Sequence, residues 1–137
     1  MLGVRHYGVS ARVIGVNVGA RPTGLRDETL RVASEAAGLL GEWPITADML
    51  EINSDYVGAR YADLTPGGVE AIRLVAQTEG IFLDPVYTAK AMAGLIDLCR
   101  RGEFAAEDHV VFWHTGGGPG LVARAAELAA ALDDQRG

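Results

Sequence analysis

An α/β fold with a mostly parallel sheet is predicted by three features of this 137-residue sequence. Residues 11–18 are rich in β-branched side chains and apolar on both faces, as strands inside a parallel sheet are, and residues 109–113 read as a second strand. Most of the chain between them carries apolar residues at helical spacing. Glycine-bearing connections at 19–24 and 114–120 lead from each apolar run into a helix, the alternation of an α/β chain.

Taken in order, residues 1–10 read as the last turn of a helix with a glycine stop. The strand at 11–18 is built on Val13, Ile14 and Val16. After the loop at 19–24, residues 25–40 form a helix with Leu25, Ala33, Ala36, Ala37 and Leu40 on one stripe; Gly41 stops it, with Pro44 just beyond. A short strand at 49–53 precedes an aperiodic polar loop at 54–64. Thr65 and Pro66 supply an N-cap and a first-turn proline, and Val69, Ile72, Val75 and Ala76 share one face of the helix behind them. The apolar triplet Ile81, Phe82 and Leu83 then runs into Asp84-Pro85. Proline biases the residue before it away from helix, so the chain makes an extended turn there. A helix from Thr88 to about Arg101 is expected to pack Ala91, Leu95 and Leu98 along one side, with Met92 and Ile96 beside them. The glycine-rich stretch 114–120 breaks the strand at 109–113, and a last helix over 121–132 uses Leu121, Val122, Ala125, Leu128, Ala129 and Leu132. The order β-α-β-α-α-β-α predicts one domain over residues 1–137 with right-handed crossovers.

Composition excludes several classes of function. Hydrophobic residues make up 49% of the chain and the mean hydropathy is +0.14, ample for a buried core. A net charge of -6 and a pI near 4.9 argue against nucleic-acid or anionic-membrane partners, which need concentrated Lys and Arg. Lys90 is the only lysine, and the pair Arg100-Arg101 reads as favourable charge at a helix carboxyl end. The single cysteine, Cys99, lies in an apolar helical run and is expected to be a buried, inert thiol. It can form no internal disulfide, which fits a reducing, cytoplasmic setting. His6, His109 and His114 lack metal-ligand spacing, so no metal site is expected, and no apolar run is long enough to span a bilayer.

Two stretches have the form of a site. Tyr87 and Thr88 sit where an extended turn enters a helix, so a phenol, a hydroxyl and free backbone N–H groups converge. The loop 114–120 leaves the carboxyl end of a strand, the place where open α/β sheets bind ligands, and Gly116 and Gly117 permit close backbone approach. It lacks the Lys-Ser/Thr ending of a Walker loop and the spacing of a dinucleotide-binding loop. From the residues alone, the loop reads equally well as a plain connection. Tyr61 and Tyr87 read also as aromatics at the edge of a core, and Thr88 as a helix cap. Lys90 reads as a surface residue with nothing nearby to depress its pKa.

Five runs together carry a resemblance: Glu70-Ala71-Ile72-Arg73-Leu74, Thr78-Glu79-Gly80-Ile81, Asp84-Pro85-Val86-Tyr87-Thr88, Lys90-Ala91-Met92-Ala93-Gly94-Leu95-Ile96 and His114-Thr115-Gly116-Gly117. The sequence closely resembles the carboxyl-terminal part of the D-cysteine desulfhydrase and 1-aminocyclopropane-1-carboxylate (ACC) deaminase family. These are pyridoxal-phosphate enzymes of the tryptophan-synthase β-like fold. The resemblance implies a three-layer fragment of the large domain, a small amino-acid substrate, and pyridoxal phosphate as cofactor. It places Tyr87 and Tyr61 over the substrate side of the cofactor, Thr88 at the pyridine nitrogen, and Thr115, Gly116 and Gly117 in the loop that walls the ring. Deaminases of the family carry Glu at the pyridine position and Leu after the histidine, whereas desulfhydrases carry hydroxyl residues. A carboxylate keeps the ring nitrogen protonated and the ring a strong electron sink; a threonine leaves a weaker one, sufficient for β-elimination. Thr88 and Thr115 therefore favour D-cysteine desulfhydrase-like chemistry, giving pyruvate, sulfide and ammonia, with ACC deaminase-like chemistry as the alternative.

The departures imply as much. The family's cofactor-binding lysine and its phosphate loop lie upstream of the matched region, and residues 1–10 correspond to the end of the helix that follows that loop. The expectation is a truncated gene, a shortened gene model or one half of a split enzyme, inactive alone and completed by an amino-terminal half or a homodimer partner. The other possibility is a non-catalytic α/β remnant that binds a partner chain. Ala62 also stands where the family has glycine.

Overall fold

The structure, a computed structural model, describes residues 1–19 and 24–134, so most of the loop expected at 19–24 lies outside the described residues. The chain divides into two compact units, Met1–Gly15 with Arg21–Asn53 and Val16–Ala20 with Ser54–Gly137.

In the first unit the opening residues form the helical turn their pattern predicts, α1 (Leu2–His6), which runs out at Gly8. Its basic end is tied down: the Arg5 guanidinium donates to the carbonyls of Trp43 and Pro44, and His6 Nδ1 lies 2.7 Å from Glu42. Strand β1 (Ile14–Val16) pairs with β2 (Glu51–Asn53) in a two-stranded parallel sheet. Both strands are shorter than the runs that predict them, and a single 3-10 turn, Ala47–Met49, takes the start of the second. With one partner strand, β1 is only half-buried at Ile14 and Val16 and open at Gly15, unlike the two-sided burial its apolar residues predict. Arg12 grips Glu51 at the sheet edge with two bonds of 2.9 and 2.5 Å, and the guanidinium holds that carboxyl below its usual pKa range. Helix α2 (Leu25–Leu39) ends just short of Gly41, as expected. Its Ser34 hydroxyl donates to Ile45 (3.1 Å), joining the helix to the segment that enters β2. Ala37, Ile45 and Leu50 are the buried apolar residues here, while Trp43 is 84% exposed.

The second unit is built on two helices, α3 (Pro66–Glu79) and α4 (Thr88–Arg100). Thr65 caps α3 as its sequence predicts, its hydroxyl accepting from the Gly68 N–H at 3.1 Å. The predicted face of α3 is buried at Val69, Ile72 and Val75. The face of α4 is not the predicted one. Thr88, Ala89, Lys90, Ala93 and Gly94 are the buried positions, and the larger Ala91-Leu95-Leu98 stripe is only half-buried. Small residues decide this, because an ideal Cβ at Gly67 would lie 3.4 Å from Ala93 Cβ and one at Gly68 would lie 3.8 Å from Ala89 Cβ. The two helices approach along a seam of glycine and alanine, and Met92 and Ile96 then fill its flank. Leu83 and Leu128 complete this core. Cys99 is exposed rather than buried, since the last turn of α4 runs past the buried seam.

The strand expected at 109–113 does not form. A strand needs a neighbour to bond with, and among the described residues the sheet contains only β1 and β2. The segment has no regular secondary structure; Phe112 packs on the core, while Val111 and Trp113 are 83% and 80% exposed. The last helix is also divided, into α5 (Gly118–Ala123) and α6 (Ala125–Asp134), with the break at Arg124. Val122, predicted to face inward, is exposed, whereas Leu121 and Leu132 pack as expected. No helix among the described residues is long and apolar enough to cross a membrane.

Candidate active site

The extended turn before α4 is organised by one carboxylate. Helix α4 begins with N–H groups that have no partner within the helix, and Asp84 supplies one. Its Oδ2 accepts from the N–H groups of Val86 (2.8 Å) and Tyr87 (2.9 Å), and its Oδ1 from Thr88 (2.8 Å). The Thr88 hydroxyl donates to Oδ1 and accepts from the Asp84 N–H, both at 2.8 Å. Asp84 is 2% exposed, and burial alone would push its pKa up. The bonds from Thr88, Tyr87 and Val86 outweigh that and hold the carboxyl below its usual range. Hydrogen bonds to a charged group are worth about 1.5–3 kcal/mol each, so this turn is rigid and its acid is ionised. Sequence reading treats Asp84 only as a turn marker. The Asp-Pro start of the turn, where an aspartate side chain bonds the backbone N–H two residues on, is the signal that would have found it.

Because Asp84 fixes the entry to α4, the next side chain outward, Tyr87, is held at the surface. Its phenol is hydrogen-bonded to that of Tyr61, with ring centroids 6.4 Å apart and planes inclined at 60°. Both rings are exposed, at 44% for Tyr87 and 57% for Tyr61. The Tyr61 hydroxyl beside it raises the pKa of Tyr87, with the charge of Asp84 a smaller contribution, so Tyr87 keeps its proton at neutral pH. Two residues 26 positions apart in sequence are thus brought together.

The glycine-rich loop meets the same turn. An ideal Cβ at Gly117 would fall 2.4 Å from the carboxylate of Asp84, so only glycine fits there, and φ of +107° makes the same demand. His114 fastens the other end of the loop: Nε2 lies 3.2 Å from the Phe82 carbonyl and Nδ1 accepts from the Gly116 N–H at 3.2 Å, which fits the tautomer with its proton on Nε2. Gly117 therefore lies against the turn that presents Tyr87, while a Cβ at Gly116 would meet nothing within 4 Å. Thr115 is exposed between His114 and Gly116.

Lys90 departs most from its sequence reading. It is fully buried rather than on the surface; desolvation lowers its pKa, and Nζ donates to the Val57 carbonyl at 2.5 Å. In the first unit, an open cleft of about 400 Å³ is lined by Val4, Arg5, Arg12, Met49 and their neighbours and contains none of the candidate site residues.

The profile of a family described as "Pyridoxal-phosphate dependent enzyme" matches residues 1–116. The chain belongs to this family. Among individual relatives, the ACC deaminase of Pseudomonas syringae pv. tomato is 40% identical over 123 residues, covering 88% of this chain and 36% of that protein. The ACC deaminase of Ralstonia nicotianae is 41% identical over 123 residues, covering 88% and 36%, and that of Burkholderia multivorans is 40% identical over 131 residues, covering 94% and 38%. A crystal structure of an ACC deaminase homologue superposes with a TM-score of 0.83 at 34% identity, over 96% of this chain and 39% of that one. The chain thus spans well under half the length of these relatives.

The family's cofactor is pyridoxal phosphate. The residues present fit one wall of such a group and not its covalent anchor. The Asp84 turn is met by Gly117 on one side and presents Tyr87, whose phenol bonds that of Tyr61, on the other. The single lysine is enclosed and bonded to a backbone carbonyl, so it offers no free amine. The Thr88 hydroxyl is likewise occupied on both sides by Asp84.

Proposed function

We propose that this chain supplies the substrate-facing part of a pyridoxal-phosphate-dependent enzyme of the ACC deaminase kind, acting on a small α-amino acid. The observation that carries the reading is the Tyr61–Tyr87 phenol pair, formed at the two positions that the family resemblance assigns to the substrate side. The relatives at 40–41% identity shift the preference toward deamination and away from the D-cysteine reaction suggested first by the two threonines. In addition, the threonine argument loses much of its force at Thr88, whose hydroxyl is committed to Asp84.

Pyridoxal phosphate, when bound, supplies the electron sink that lets a bond at the substrate's α-carbon break. This chain's own residues orient and enclose. The Tyr61 and Tyr87 hydroxyls present paired hydrogen-bonding groups to the carboxylate of the amino acid. Asp84 keeps Tyr87 in place, and the loop at 114–120 forms a backbone wall with no side chain at Gly116 or Gly117. The lysine that anchors the cofactor comes from outside these 137 residues.

D-cysteine desulfhydration is the second reading, favoured by Thr115 and Thr88 standing where the family's deaminases carry other side chains. The experiment incubates the chain, alone and mixed with the amino-terminal segment of the Pseudomonas syringae relative, with pyridoxal phosphate and either ACC or D-cysteine. Ring opening with water gives 2-oxobutanoate and ammonia, whereas elimination gives pyruvate, sulfide and ammonia. The expected result is 2-oxobutanoate from the mixture only. Sulfide would transfer the assignment to the second reading, and a complex that turns over neither substrate would overturn both in favour of a partner-binding role.

A further inference from the structure

We propose that Lys90 is a positioning residue for the tyrosine pair: its buried ammonium, donating to the Val57 carbonyl, sets the loop at 54–64 so that the phenol of Tyr61 meets that of Tyr87. The proposal rests on reading the two phenols as the substrate wall, but its readout needs neither cofactor nor turnover.

Burying an ammonium is unfavourable unless something compensates it. The only lysine in the sequence nevertheless lies at a fully enclosed position on α4, beside Ala89, Ala93 and Gly94, where an apolar side chain would serve packing equally well. What the ammonium touches is the loop. Nζ is 2.5 Å from the Val57 carbonyl, and an ideal Cβ at Gly58 would stand 3.6 Å from Nζ and 3.0 Å from Thr65 Cγ2. Asp63, on the same loop, supplies the negative charge that favours the ammonium, and Arg124 the positive charge that opposes it. Arg124 itself donates to the Ala62 carbonyl. Tyr56, at the start of the loop, donates to Asp97 at 2.6 Å, and an ideal Cβ at Gly94 would stand 3.1 Å from its ring. Tyr61 therefore lies between two carbonyls held by cations, Val57 on the side of α4 and Ala62 on the side of the α5–α6 break. Charge-assisted bonds of this kind are stronger than neutral ones. The loop has no regular secondary structure to hold Tyr61 by itself; α4 positions both phenols, one directly and one through Lys90.

The test uses the full chain with ring-labelled tyrosine. NMR reads the Tyr61–Tyr87 ring contacts and the titration of Tyr87, whose ionisable neighbours are the Tyr61 phenol and Asp84. Tyr61→Phe defines the signature of a lost partner, a titration midpoint for Tyr87 displaced downward. Lys90→Met keeps the stem and removes the donors. Its expected spectrum shows loss of the ring contacts and the same downward displacement, with helical content unchanged. If Lys90→Met does not fold, Lys90→Gln, which ends in an amide donor, takes its place and is expected to retain only part of the contact intensity. Ring contacts and a Tyr87 midpoint that match the unsubstituted chain in whichever of these variants folds would overturn the proposal.

Discussion

A single carboxylate sets the geometry of the candidate site. Asp84 accepts four hydrogen bonds at the start of α4. Replacing it with asparagine turns one acceptor into a donor facing N–H groups, so Asp84→Asn is expected to cost about 1–3 kcal/mol, read as a lower denaturation midpoint. The pH dependence follows from the direction of its shift. Its pKa in the folded chain lies below the unfolded value of about 4, so its contribution is complete above that value and is lost as pH falls through the folded one. The unsubstituted chain should lose stability more steeply below about pH 4 than Asp84→Asn does; parallel acid-unfolding curves would contradict the assignment. Ala62 offers a prediction of the opposite sign. It is the one non-glycine residue with positive φ (+64°) among the described residues, at the position where the resembled family has glycine. A side chain there is strained, so Ala62→Gly should raise stability by roughly 0.5–1 kcal/mol, measured by thermal unfolding. A drop would mean that Ala62 does not hold that conformation.

At the level of elements, the contact between α3 and α4 depends on small residues at Gly67, Gly68, Ala89 and Ala93. Ala93→Leu inserts three carbons into that seam and is expected to destabilise by about 1–3 kcal/mol through overpacking; chemical denaturation would measure it. The helices were largely legible from sequence because caps and stops are local: Thr65-Pro66 started α3 and Gly41 marked the end of α2. The face of α4 was not. Apolar periodicity favours large side chains, whereas closest approach was decided by the absence of them, and the buried ammonium of Lys90 is invisible to a count of hydrophobic residues. The strand at 109–113 failed for a different reason, since β-propensity describes a segment and pairing requires a second one. Of the site, the Tyr61–Tyr87 meeting follows from no local pattern in the sequence. The Asp84–Gly117 contact had a readable half, the aspartate turn at Asp84-Pro85, and an unreadable half, the close packing against a loop 33 positions away in sequence.

At the scale of the molecule, the two units have very different cores. One buries Ala37, Ile45 and Leu50; the other buries Val69, Ala71, Ile72, Val75, Leu83, Val86, Ala89, Ala93 and Leu128. Apolar burial contributes about 25 cal/mol per Å², so local opening should be easier in the first. Amide hydrogen exchange is expected to show α3 and α4 exchanging more slowly than α2; equal protection would count against the difference. Each unit also carries one tryptophan, Trp43 at 84% and Trp113 at 80% exposure. Both indoles are already bathed in water in the folded chain, so their emission is expected to lie to the red before any denaturant is added and to change little on unfolding. Intrinsic fluorescence is then a poor gauge of stability, and circular dichroism must serve instead. The same property makes Trp113 a sensitive optical probe of the unpaired segment at 109–113: whatever covers it will move its emission to the blue.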